Sequence, residues 1–296
     1  MTIASDVCAV VPVYYPDLNN LDEMVTALLK QLTKVVLVNN SSETLSTLLN
    51  NESVIILNQS SNIGVASAFN LGFQYAIDHG ISYVLLMDQD SVVSANMVSG
   101  LLGHYVGDYK QPQALAAVGP FHKDIRTGDA AKFIRCNKFY ISKILPNGFE
   151  SIECDFIISS GSLVPVSVFN DVGPMLDDLF IDCVDIEWCF RARSKGYMIL
   201  GSKFSSMGHR IGDDQLNFLG KKITMHQPIR HYYFYRNLFF LLRKSYIPMI
   251  WRVQTVFKSL LQMVIFSTLT SQRIEHFKMI VKGAYHGLTA NLGALR

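Results

Sequence analysis

Four short apolar runs in the first third of the chain set the limits on its fold. Val7 to Tyr14, Val35 to Val38, Val54 to Leu57 and Tyr83 to Met87 are rich in β-branched residues and too short for stable helices. Between them, Leu18 to Leu32 and Val65 to Ile77 have helical length and spacing, and a further helix is expected near Ala95 to Tyr109. Short buried strands alternating with helices predict a parallel α/β sheet covered on both faces. Ligands of such sheets bind outside the carboxyl ends of the strands. Tyr14, Asn39, Asn58 and Asp88 all fall there.

The last of these strands runs straight into Asp88-Gln89-Asp90. Two carboxylates delivered at a strand terminus suit a divalent cation and a nucleotide diphosphate. The tripeptide alone is weak, since a chain of this composition contains roughly one D-x-D by chance. Its position gives it weight. Farther on, Phe156 to Val164 is the clearest strand of a less regular middle region. The segment from Phe180 to Arg191 begins acidic and turns helical to about Lys195, with Gly196 as its stop.

The net charge of +2 conceals an asymmetry. Residues 1 to 220 hold 14 Lys/Arg against 23 Asp/Glu, and residues 221 to 296 hold 12 against one. The reading is therefore a catalytic domain over 1–240, nucleotide-binding to about 110 and acceptor-binding beyond, followed by a basic helical region over 241–296. In that region Met249, Ile250, Val253, Val256, Phe257, Leu260, Leu261 and Val264 share one helical face, opposite Arg252, Thr255, Lys258, Ser259 and Gln262. Polar residues interrupt the pattern too often for a membrane span, so the helix is expected to lie at an anionic membrane surface or to pack on the domain. Nucleic-acid binding is not expected, because the basic residues are interleaved with an apolar face.

Five cysteines without C-x-x-C spacing predict buried free thiols in a reducing cytoplasm, with no zinc site or disulfide framework. No secretory signal is visible. No G-x-G-x-x-G follows the first strand, which excludes a Rossmann dehydrogenase. Tyr14-Tyr15-Pro16-Asp17 likewise lacks the Gly-rich basic loop of a sugar-nucleotide pyrophosphorylase.

Taken together, these segments resemble the inverting family 2 glycosyltransferases of GT-A fold, and within them the bacterial dTDP-rhamnose rhamnosyltransferases of O-antigen and related polysaccharide assembly. The resemblance covers about residues 7 to 240. Val10-Val11-Pro12-Val13-Tyr14-Tyr15-Pro16 looks like that family's first strand and base-binding turn, and Val38-Asn39-Asn40-Ser41 like its second-strand terminus, with Asn39 where Asp is usual. Asn62-Ile63-Gly64-Val65-Ala66-Ser67-Ala68-Phe69-Asn70-Leu71-Gly72 is similar to its N-x-G-x-x-x-A-x-N-x-G signature. Here Gly64 permits close backbone approach before a helix N-terminus, and Asn62 offers an amide. The resemblance thus implies a nucleotide-sugar site formed by Pro12, Val13, Tyr14, Asn39, Asn62, Gly64 and Asn70 with Asp88, Gln89 and Asp90.

The same resemblance makes Asp185 the catalytic base, in a stretch where Val184 replaces the usual Glu. It sets Glu187 and Trp188 beside the acceptor, and Arg230 and Arg236 at a diphosphate of donor or acceptor. His209 joins Asp88 and Asp90 around Mg²⁺ or Mn²⁺. The implied reaction transfers L-rhamnose from dTDP-L-rhamnose to an undecaprenyl-diphosphate-linked saccharide, at the cytoplasmic face of the inner membrane. Another donor (UDP-galactofuranose, UDP-glucose or UDP-N-acetylglucosamine) fits the same core, and a non-catalytic nucleotide-sugar-binding module is the alternative from another class. Without a Q-x-x-R-W motif or a spanning helix, single additions are expected over processive synthesis.

Overall fold

The computed structural model describes residues 4–45, 51–106, 113–124, 128, 130–145, 151–209, 214–218 and 221–295; the side chains of Asp124, His209, 214–218 and 221–225 lie outside that description. The first part alternates as expected: β1 (Ala4–Val13), α1 (Leu18–Leu29), β2 (Leu32–Asn39), β3 (Val54–Asn58), α2 (Gly64–Asp78), β4 (Tyr83–Leu86), β5 (Val92–Val93) and α3 (Met97–Val106). The middle comprises β6 (Leu115–Asp124), β7 (Phe133–Cys136), β8 (Ile141–Ile144), β9 (Ile152–Cys154), β10 (Ser162–Pro165), α4 (Val166–Val172) and α5 (Val184–Ser194). Then come β11 (Met198–His209), β12 (Asp214–Phe218), β13 (Lys221–Met225), α6 (Pro228–Leu241), α7 (Met249–Leu269) and α8 (Arg273–Thr289). The helix expected to run to Leu32 stops at Leu29, because Leu32 already opens β2. Tyr109, the expected end of the third helix, lies outside the described residues.

The main sheet has the order β3-β2-β1-β4-β10-β6-β11-β5, with β9 also on β11. β1, β2, β3 and β4 pair in parallel, as do β6 and β11, whereas β10 runs antiparallel to both neighbours. The chain winds outward from β1 to β3 and resumes at β4 on the other side of β1. That reversal opens a crevice at the carboxyl ends of β1 and β4, where Tyr14 and Asp88 stand.

Alternation within β1 divides the core. Cys8 and Val10 face α2, α4 and α5, whereas Val7, Ala9 and Val11 face α1 and α3. Phe69 and Phe73 of α2 are fully buried, each stabilising the fold by about 2–3 kcal/mol. The five cysteines are free thiols, four of them buried.

One expected strand is broken. Of Phe156 to Val164, only Ser162 onward pairs as β10. The preceding residues leave the sheet because Gly161 takes φ +82° and Ser159 N–H turns toward Asp185 Oδ2 at 3.1 Å.

The C-terminal helices are not a loose appendage. A Cβ on Gly283 would lie 2.3 Å from the Tyr232 carbonyl oxygen, and one on Gly287 2.2 Å from that of Arg236. α8 therefore packs backbone to backbone on α6. Because a carbonyl in a helix cannot move aside, Gly283→Ala should force the helices apart and lower unfolding stability by roughly 1–3 kcal/mol, read as an earlier urea midpoint with unchanged secondary structure at zero denaturant.

Candidate active site

A cleft of about 670 Å³ lies at the switch between β1 and β4. It is lined by Pro12, Val13 and Tyr14 from the end of β1, Asn62 and Gly64 from the start of α2, and Asp88, Gln89 and Asp90 after β4. Asp185 at the first turn of α5 and Arg230 at the first turn of α6 are the other expected residues that line it. Residues far apart in the chain are thus brought to one surface.

Each group is held by a specific partner. Gln89 bridges the two strand ends, its Oε1 accepting Tyr14 N–H at 2.7 Å and its Nε2 donating to Tyr14 O at 3.1 Å. Buried Ser160 supports the turn from below, where its Oγ accepts Asp88 N–H at 3.2 Å and lies 2.6 Å from Ser91 Oγ. Asp185 has one carboxylate oxygen on Ile186 N–H at 2.8 Å and the other on Ser159 N–H at 3.1 Å. Arg230 grips Asp182 with two donors at 2.7 and 3.1 Å.

The carboxylates crowd one another. Burial pushes the Asp88 carboxyl up to about 7, the charges of Asp90 and Asp185 push in the same direction, and Arg230 opposes them. Burial also raises Asp185, against the lowering effect of its backbone N–H donors. Among the described residues no three His, Cys, Asp or Glu side chains enclose a metal. Asp88 and Asp90 are nonetheless hard oxygen donors whose repulsion a divalent cation relieves, so this pair fits one with positions left for ligand oxygens. His209 ends β11, paired in register with Asp124, and its side chain lies outside the description.

Several expected ligands stand elsewhere. Asn39 is 1% exposed and is consumed by its neighbours, donating to Asn58 Oδ1 and Glu43 O and accepting Ser41 N–H. The next residue, Asn40, lines the cleft instead, and its buried Oδ1 has no partner among the described residues. Glu187 is fully buried and holds Arg191 at 2.8 and 2.9 Å and Tyr246 Oη at 2.5 Å. Trp188 is likewise buried and donates to Gly173 O. Neither lines the cleft. Asn70 points away from the cleft onto Met175 and Asp177. Gly64 does allow a close approach, but of the loop at Phe180: a Cβ there would lie 2.6 Å from Phe180 O, which accepts Val65 N–H at 2.6 Å. Two N-terminal amides of α2, those of Val65 and Ala66, are therefore occupied by a carbonyl.

Arg236 is corrected most strongly. With 0% exposure it cannot meet a diphosphate; it donates to the carbonyls of Asp178, Leu179 and Gly293, and stacks on Tyr232 and Tyr233. Asn237 beside it donates to Leu179, Ile181 and Asp182 carbonyls at 2.7–2.9 Å. These two side chains clamp a loop in which Phe180, Asp182 and Cys183 all have φ near +60°. Non-glycine residues in that region cost about 1–3 kcal/mol each and persist only when their surroundings dictate them. The cleft also takes in Ser159, Ile181, His226 and Phe234, none of which was expected as a ligand.

Residues 8–173 match the family model described as Glycosyl transferase family 2. The chain is 30% identical over 296 residues to the dTDP-rhamnosyl transferase RfbF of Shigella flexneri, covering 99% of this chain and 98% of that one. It is 23% identical to the low-salt glycan biosynthesis hexosyltransferase Agl10 of Haloferax volcanii, over 88% of this chain and 83% of that one. Among solved structures, GalNAc-T7 crystallised with UDP, GalNAc and Mn²⁺ superimposes with a TM-score of 0.62 at 13% identity. That match takes in 97% of this chain, which spans 56% of the GalNAc-T7 chain, and shows a shared GT-A fold.

Two measurements probe the site without catalysis. The Asp88 carboxyl is raised in the fold, so its charge destabilises the protein fully above about pH 7 and the penalty fades as pH falls toward the unfolded value near 4. In buffer without divalent cations, Asp88→Asn should stabilise by roughly 1–3 kcal/mol at pH 8, an advantage that calorimetry should find vanishing near pH 4. Asn237→Leu should strip the Ile181 and Asp182 carbonyls of their side-chain donor, leaving Leu179 O to Arg236, and cost about 2 kcal/mol or more in denaturant unfolding.

Proposed function

Since the chain belongs to glycosyl transferase family 2, we propose that it transfers L-rhamnose from dTDP-β-L-rhamnose to a lipid-linked saccharide in cell-surface polysaccharide assembly, with inversion at the anomeric carbon. The observation that carries the reading is the meeting of the Asp88–Asp90 pair and Asp185 in one cleft at the switch point. The full-length similarity to a dTDP-rhamnosyl transferase supports the choice of donor.

Donor recognition begins at the base. Asn40 presents a buried carbonyl oxygen without a partner among the described residues, which suits a pyrimidine ring N–H, and half-exposed Tyr14 offers a ring face in the same cleft. Asp88 and Asp90 are the residues that would hold Mg²⁺ or Mn²⁺. Such an ion supplies neutralisation of the diphosphate charge that grows as the nucleotide leaves. Arg230, already paired with Asp182, brings a cation to the same cleft.

Asp185 takes the proton of the acceptor hydroxyl while that oxygen attacks the anomeric carbon opposite the leaving diphosphate. Its two N–H partners fix the carboxylate, and burial raises its basicity toward working pH. A lipid-linked acceptor sets the reaction at the cytoplasmic face of the inner membrane.

A panel of nucleotide sugars with Mn²⁺ or Mg²⁺ and a short synthetic acceptor tests the reading. Nucleotide diphosphate release should be strongest with dTDP-rhamnose; release from a UDP-sugar instead would refute the donor assignment. Asp185→Asn should lower kcat by about 10²–10⁴-fold with dTDP affinity, followed by calorimetry, changed only a few-fold; near-normal turnover would move the base elsewhere.

A further inference from the structure

The α7–α8 hairpin turns its apolar sides outward. α7 buries Trp251, Ser259, Ile265 and Phe266, and Tyr235 of α6 donates to the Ser259 carbonyl. On its other side Met249, Val253, Phe257, Leu260, Leu261 and Val264 face solvent, with Phe257 74% exposed. Of the polar residues on α7, Ser259 is buried and Arg252 donates to the Leu242 and Ile247 carbonyls between α6 and α7, while Lys258 is exposed.

α8 repeats the arrangement. His276, Ile280, Gly283 and Gly287 pack inward, while Ile274, Phe277, Val281, Tyr285 and Leu288 are exposed, Ile274 at 66%. At 100° per residue, Phe257 and Leu261 stand about 160° around the helix from Ser259, and Val281 and Tyr285 about 160° from Gly283. Ser259 and Gly283 touch α6, so both stripes look away from it.

Single exposed apolar residues are ordinary, but two helical stripes side by side are not. We propose that the α7–α8 hairpin is a two-helix platform that docks on an anionic lipid bilayer, with both stripes entering the acyl boundary. Charge selects this occupant. The hairpin presents exposed Lys258, Arg273, Lys278 and Lys282 against a lone acid, Glu275. A two-fold pairing with a second copy would bring one net-cationic face against another, whereas anionic headgroups neutralise it. No described helix is long and apolar enough to cross a membrane, so the hairpin lies along the surface. α6 joins the platform to Arg230 in the cleft, and docking therefore fixes the height of the cleft above the lipid. The inference deepens the proposed lipid-linked acceptor without depending on turnover.

Flotation of the full chain with vesicles of phosphatidylcholine, alone or mixed with phosphatidylglycerol, tests it. Binding should require the anionic lipid and weaken in high salt. Phe257→Ser with Leu261→Ser on α7, Phe277→Ser with Tyr285→Ser on α8, and Lys278→Glu with Lys282→Glu should each weaken binding by about tenfold or more. Their thermal unfolding and dTDP affinity should match the parent. Absence of flotation would overturn the proposal, and a dimer in sedimentation velocity that the same substitutions dissociate would assign the face to a second copy. Flotation unaffected by the α8 pair would reduce the platform to one helix and overturn it as stated.

Discussion

The loop from Asp178 to Cys183 is the part on which the cleft depends, and hydrogen bonds to its carbonyls hold it. Its three positive-φ residues would relax to ordinary backbone if left alone. Phe180 O is tied to the α2 N-terminus, Leu179, Ile181 and Asp182 carbonyls to Asn237, and Asp178 and Leu179 carbonyls to Arg236. The loop in turn delivers Asp182 to Arg230 and starts α5 so that Asp185 enters the cleft. The position of Asp185, the base in the proposed transfer, is thus set by Arg236 and Asn237, two buried side chains outside the cleft lining.

The sheet was legible because its signal is local. Uninterrupted β-branched runs between helical stretches can only be interior parallel strands, and the strand ends then point to the crevice. Asp88, Gln89 and Asp90 were readable from position alone. Ligand roles were harder, because a motif records that residues matter without saying to what. Asn70, Glu187, Trp188 and Arg236 serve the fold through partners 4 to 107 positions away. Asn39 and Asn40 differ only in side-chain direction at a strand end, which one residue of register decides. Ser159 and His226 sit on loops whose course is set by tertiary contacts, so no periodicity could announce them.

The carboxylates and the C-terminal helices carry opposite liabilities. Asp88 beside Asp90 and Asp185 is costly in the empty protein and suited to a cation-bound diphosphate, so stability is given up where charge is needed. The outward stripes of α7 and α8 cost solubility in water and suit an interface. In both places the free chain is strained toward the company it is built to keep.

The clamp also orders the events by which the protein comes into being. Arg236 lies 57 to 58 positions beyond the carbonyls it holds, and Gly293 a further 57 beyond Arg236. During synthesis β1 to β4 can pair, and the nucleotide half can close, while α6 and the segment after α8 have yet to be made. Until they arrive the Asp178, Leu179, Ile181 and Asp182 carbonyls lack these side-chain donors, and the tie of Phe180 O to α2 holds the loop without them. A nascent chain can therefore pair the strands behind Asp88 well before the loop that leads Asp185 into the cleft is clamped, since the clamp waits for Arg236, Asn237 and Gly293.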